Sequence, residues 1–252
     1  MKKLILASAI AASFVGSVAY AEEAAPESTI AYNVGIATDY RYRGISQSQK
    51  DFAYSAGADY TDNVNGFYVG TWISSIKWIK SSTYNGNAPA EWDIYGGKRG
   101  EIAPGVSYDV GSLVYLYPNN KLEKAGTGVD ATTWELYGQV GYGPAYIKYS
   151  HALTNTFGNA NSKGSYYIDA GVNQPLAEGV TLNLHVGYQK LNNVVDGSYT
   201  DWKVGVTKDF GFVVGSLAYI DTKFTFDSQH SKKIDIRNWG WVCASALQNC
   251  NL

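Results

Sequence analysis

Methionine, histidine and cysteine are scarce in this sequence, and past its first twenty-one residues it has no long apolar run. Each shortage removes a class of protein. The chain has 252 residues, and among them only one methionine, three histidines and two cysteines. Cys243 and Cys250 have no histidine close by and fall short of the four ligands that a structural zinc site needs. After residue 21 no segment approaches the roughly 18 apolar residues of a membrane-crossing helix. Twenty basic residues face 22 acidic ones, a formal net charge of −2, so there is no cationic footprint for nucleic acid. A soluble α/β enzyme of this length would use more Leu and Met in its core. No cofactor motif stands out: Gly96-Gly97-Lys98-Arg99-Gly100 falls on a strand pattern and lacks the following helix of a phosphate loop.

What is present points to export. Lys2 and Lys3 precede an uncharged stretch, residues 4–21, ending Ala19-Tyr20-Ala21. This reads as a secretory signal over 1–21, cleaved before Glu22, with a short segment 22–29 after it. In an oxidising compartment Cys243 and Cys250 could close one small disulfide loop, contributing ~2 kcal/mol or less. The 27 glycines, 21 tyrosines and seven tryptophans suit a β-barrel whose amphipathic rings sit at membrane interfaces.

Alternation with period two begins at once. Ile30, Tyr32, Val34, Ile36, Tyr40 and Tyr42 share one face, and Asn33, Asp39, Arg41 and Arg43 the other. Runs of about ten residues of this kind recur over 51–62, 66–77, 91–102, 105–118, 131–142, 145–154, 164–173, 180–191, 199–209 and 211–222, with a weaker one over 232–242. Between them, long connections (44–50, 78–90, 119–130, 155–163, 192–198, 223–231) alternate with short ones (63–65, 103–104, 143–144, 174–179 and the turn at Phe210). That asymmetry belongs to transmembrane barrels, which have short periplasmic turns and long outer loops. The expected fold is therefore all-β: a transmembrane antiparallel up-and-down barrel of about 12 strands over 30–242, followed by an atypical tail, 243–252.

The same parity assigns faces. Trp92, Ile94, Trp134, Leu136, Ile168, Val186, Trp202 and Val204 are expected to face lipid. The opposite parity carries Asp39, Arg41, Arg43, Glu91, Asp93, Arg99, Glu135, Lys148, Asp169, His185 and Lys203, which are the candidate pore-lining residues, together with Gln189 and Asp201. A Lys or Arg facing lipid at the midplane costs about 2–4 kcal/mol, so these residues must line an interior.

Residues 34–60, VGIATDYRYRGISQSQKDFAYSAGADY, resemble the TorF porin family, also catalogued as Gcw_chp, as do Phe67-Tyr68-Val69-Gly70-Thr71-Trp72 and Ser107-Tyr108-Asp109-Val110-Gly111. The resemblance runs from about residue 30 to 222. It implies an outer-membrane barrel without a defined solute and brings no catalytic residues. Such barrels typically close on an alternating strand with a final aromatic residue, which the last residues here lack.

The sequence then supports a passive channel for small hydrophilic solutes, located in the bacterial outer membrane. Its partners would be outer-membrane lipid, the solutes and the barrel-assembly machinery. A closed structural or adhesion barrel, and a soluble periplasmic β-protein, are the alternatives. Mixed lining charges argue against strong anion selectivity. Arg41, Arg43 and Lys50 form the densest basic cluster. Arg41 and Arg43 could line an eyelet for acidic solutes, or pair with wall carboxylates such as Glu91 or Asp93. Tyr95, Tyr115, Tyr117, Tyr137 and Tyr167 could form a sugar slide or simply fill a narrow lumen, and glycines such as Gly70, Gly171 and Gly187 would allow wall curvature. An enzyme is not expected. Of the three histidines, His151, His185 and His230, His151 falls on the opposite face of its strand from Ser150, and His185 has no serine evidently paired with it.

Overall fold

A computed structural model describes residues 26–81, 84–122, 128–224 and 240–248. Within them the alternating runs close into a barrel. Its strands are β1 (Ser28–Ala37), β4 (Ala53–Asp62), β5 (Phe67–Ser75), β6 (Ala90–Ala103), β7 (Val106–Leu116), β8 (Thr133–Tyr142), β9 (Ala145–Ala152), β10 (Tyr166–Ala177), β11 (Val180–Lys190), β12 (Tyr199–Asp209), β13 (Val213–Phe224) and β14 (Gly240–Gln248). Two short strands, β2 (Arg41–Tyr42) and β3 (Ile45–Ser46), make a separate hairpin within the first long loop. Each barrel strand pairs with its neighbours in the chain, and β1 closes the ring by pairing antiparallel with β14, from Asn33↔Gln248 to Ala37↔Ala244. Closure leaves no unpaired strand edge, the condition for a sheet to sit in lipid.

The burial pattern is inverted relative to a water-soluble barrel. Trp92, Trp134, Leu136, Ile168, Val186 and Val204 are exposed on the outer surface, whereas Glu91, Asp93, Glu135, Asp169 and Asp201 are buried inside. An apolar outer belt around a charged interior is what a bilayer selects. Leu136→Arg, near the middle of β8, is therefore expected to lower the unfolding free energy in lipid vesicles by about 2–4 kcal/mol. A urea titration with no shift would mean that this face does not meet hydrocarbon.

Inside, several wall tyrosines lie over glycines of the adjoining strand. Gly70 is opposite Tyr95, Gly97 opposite Tyr68, Gly111 opposite Tyr137 and Gly171 opposite Tyr146. Gly187 is covered by Tyr167 from the neighbouring strand. At each of these glycines a β-carbon would collide with the tyrosine; at Gly171, for example, it would lie 2.5 Å from Tyr146 Cε1. Their role is to seat rings against the wall.

The strands differ from the sequence reading at both ends of the barrel. The first strand stops at Ala37, so Asp39, Tyr40, Arg41, Tyr42 and Arg43 are not part of the wall. The last described strand is Gly240–Gln248, so the barrel continues past residue 242 into the expected tail and Cys243 lies on a strand paired with Leu217. The expected signal segment, residues 232–239 and Cys250 lie outside the described residues.

Candidate functional site

The hairpin β2–β3 is the centre of the site. A two-residue turn, Arg43-Gly44, joins Tyr42 to its partner Ile45, with φ +46° at Arg43 and +78° at Gly44. Positive φ at both turn residues is the type I′ geometry that suits the twist of a tight hairpin. Glycine adopts it freely, whereas arginine there costs about 1–2 kcal/mol. Asp39 stiffens the base, accepting hydrogen bonds from Arg41 Nε at 2.7 Å, Ser46 Oγ at 2.5 Å and the Lys50 amide at 3.3 Å. Gln47 donates its amide to the Tyr40 carbonyl at 2.7 Å, and Ser48 Oγ accepts from the Tyr40 amide at 3.0 Å.

This hairpin crosses the lumen. Near its base, Tyr40 donates to Glu91 at 2.5 Å and packs edge-on against Trp72. Further along, the Tyr42 and Tyr115 hydroxyls share a hydrogen bond. At the tip, the Arg43 guanidinium makes a two-pronged contact with Glu135, at 2.9 and 2.7 Å, and donates to Gln189 Oε1 at 2.8 Å. It lies over the Tyr42 and Tyr167 rings, 4.8 and 4.5 Å from their centroids. Gly44 presses against the far wall, where a β-carbon would lie 2.5 Å from Asp201 Cβ and strike Thr222 Oγ1. A loop that leaves from β1 thus reaches β8, β11, β12 and β13.

The Arg43 socket is built from wall residues that are themselves held. Gln189 donates to the carbonyls of Tyr166 and Lys190 at 3.0 and 3.2 Å, which turns its side-chain oxygen toward Arg43. Tyr115 donates to Glu135 at 3.2 Å, and the Tyr167 hydroxyl donates to Asp201 at 2.8 Å and meets His185 Nε2 at 2.9 Å. The Arg43 and Glu135 side chains are only 6% and 2% exposed, so solvent screens this pair little. Above the hairpin, Ile76, Ile79, Ala88, Leu122 and Ala131 from the second and third long loops pack into an apolar cap, and Trp78 sits edge-on against Tyr84 and Tyr117. On the rim, exposed Lys77 pairs with Asp51, and that hydrogen bond holds the Asp51 carboxyl below its ordinary range.

Below the hairpin, charge runs round the wall in register: Arg99↔Asp109↔Gln139↔Lys148↔Asp169. Arg99 donates to Thr61 at 3.0 Å and covers the Tyr68 ring; Lys148 stands over Tyr137. His185 lies 3.6 Å from Asp169 and 3.1 Å from Asp201, with Lys203 as its register partner on β12. Asp93 is fully buried, and neither of its carboxylate oxygens has a hydrogen-bond partner among the described residues.

Eight candidates, Glu91, Asp93, Arg99, Glu135, Lys148, Asp169, His185 and Lys203, come from barrel strands. Asp39, Arg41 and Arg43 come from the hairpin instead, because the chain turns inward after Ala37. Arg43 takes Glu135 as its partner rather than Glu91 or Asp93, and Arg41 takes Asp39. Gln189 and Asp201 share the inward parity and prove central, while Gly44 and Thr222 carry no signal beyond the Arg43-Gly44 turn pair. Ser150 is buried inside, and His151 meets the hydroxyl of outward Tyr149 at 3.0 Å, so the two lie on opposite faces. Among the described residues, no group of three or more His, Cys, Asp and Glu side chains is placed to hold a metal ion. His230 lies outside them.

A family profile described as a bacterial protein of unknown function, Gcw_chp, matches residues 21–239. No curated protein matches the chain in sequence. Among solved structures, a chain from a study of in-meso crystallization of membrane proteins is similar at TM-score 0.52 and 8% identity, covering 87% of this chain and 83% of that one. The NanC porin is similar at TM-score 0.50 and 8% identity, over 88% of this chain and 100% of the porin. At such identities the likeness speaks for the barrel fold alone.

Proposed function

The chain belongs to the Gcw_chp family of bacterial proteins, and on that premise we propose that it is a porin-like channel of the outer membrane for small hydrophilic solutes, held shut by its first loop. The carrying observation is the hairpin tip. Its hold on the far wall is polar and concentrated on one guanidinium, bound to Glu135 and Gln189. A permanent plug needs only apolar packing, whereas polar contacts of this kind can be exchanged for water or solute. Beneath the tip, Arg99, Lys148, Lys203, Asp109 and Asp169 offer the mixed polar lining that replaces hydration for a passing solute. In this reading the long loops face outward and the short turns face the periplasm.

The apolar cap formed by Ile76, Ile79 and Leu122 favours a second reading, a permanently closed barrel that displays its loops. Planar-bilayer recordings of the folded full chain separate the two. The channel reading expects discrete, infrequent openings and measurable swelling of loaded liposomes. Silence from protein whose folding is verified by its gel shift on heating would defeat it.

A further inference from the structure

We propose that the Arg43 socket is a binding site for a small solute carrying a guanidinium group, and that Arg43 is a tethered stand-in for that solute. The inference rests on the channel reading above and names the solute class that would open the channel.

Most of the socket belongs to the wall and would stay behind if the hairpin withdrew. Glu135 on β8, Gln189 on β11 and Tyr167 on β10 each touch the guanidinium. A carboxylate approached by two parallel N–H donors is the geometry of a planar guanidinium, which an ammonium cannot reproduce. The face of Tyr167 adds a cation–π contact, and its hydroxyl is already fixed by Asp201 and His185, so the ring is in place before any ligand arrives. Gln189 is likewise held with its acceptor oxygen pointing inward.

The charge balance points to the same solute. Withdrawal of the hairpin takes the Arg41–Asp39 pair and Arg43 with it, a net loss of one positive charge, and leaves Glu91, Asp93 and Glu135 on the wall. Of these, Asp93 has no hydrogen-bond partner among the described residues even with the hairpin docked. The uncovered wall is acidic and favours a cation. Solute and Arg43 compete for one socket, so a bound guanidinium shifts the hairpin toward its withdrawn position.

Calorimetry on the full chain in detergent tests this with L-arginine and with L-citrulline, which has nearly the same shape but an uncharged urea group. In Arg43→Ala, arginine is expected to bind at least tenfold more tightly than citrulline, and the preference is expected to vanish in Arg43→Ala combined with Glu135→Gln. Wild-type protein gives a second measurement that avoids the variants. In bilayers, arginine is expected to raise its open fraction and citrulline to leave it unchanged. Equal binding of the two compounds, or a preference that survives Glu135→Gln, overturns the inference. Current without arginine preference removes the socket and keeps the channel; arginine preference without any current does the reverse.

Discussion

Arg43→Ala is expected to raise the mean conductance of reconstituted channels several-fold, by lengthening the open fraction. Removing one partner of a buried ion pair costs about 3–5 kcal/mol, because the other charge is left without compensation. Here that cost falls on the docked hairpin alone, since withdrawal lets water reach Glu135. At about 1.4 kcal/mol per factor of ten, the docked population falls roughly a hundredfold or more relative to the withdrawn one. Arg43→Lys keeps the charge but loses the two-pronged contact and the second acceptor, so its conductance should fall between the two. Gly44→Val reaches the same end by another route, because its β-carbon would strike Asp201 and Thr222. If all three variants gate like the wild type, the hairpin is not the barrier.

Gly187→Val should have the largest effect on stability. The added side chain would take the place of the Tyr167 ring. Overpacking costs about 1–3 kcal/mol. Displacing Tyr167 also breaks its bond to the buried Asp201 carboxylate, and a hydrogen bond to a charged group contributes roughly 1.5–3 kcal/mol. A loss of roughly 3–5 kcal/mol is expected, read as an earlier urea midpoint in vesicles. Gly138→Ala is the comparison. Its new methyl would meet only Val110 Cγ1, at 3.9 Å, and should change the unfolding free energy by no more than about 0.5 kcal/mol. Equal midpoints for the two variants would mean that the ring is not seated on that glycine.

Most of the wall could be read directly from period two, because a strand between lipid and lumen must alternate in polarity. Glu91, Glu135, Asp169 and His185 follow from that rule alone. It failed at Tyr40-Arg41-Tyr42-Arg43, where alternation continues although the barrel strand has ended. Alternation reports that a strand has two unlike faces; it does not say which sheet the strand belongs to. The segment through β2 also has two unlike faces, so Tyr40 and Tyr42, which continue the parity of Ile30 to Ile36, are found packed against Trp72 and Tyr115. The final strand runs past its expected end at residue 242 for a related reason. Gly240–Gln248 is rich in small residues with weak contrast between parities, and its place is set by the two strands it joins.

The left-handed backbone at Arg43 has a kinetic consequence. Once released, the turn relaxes toward right-handed or extended conformers, and the guanidinium can re-enter its socket only when residue 43 revisits a region that arginine disfavours. Closing is then a search, while opening is a simple escape. The closing rate should therefore be set by how often residue 43 visits that region rather than by how fast the hairpin diffuses, so the rhythm of the current would be written partly in one backbone angle.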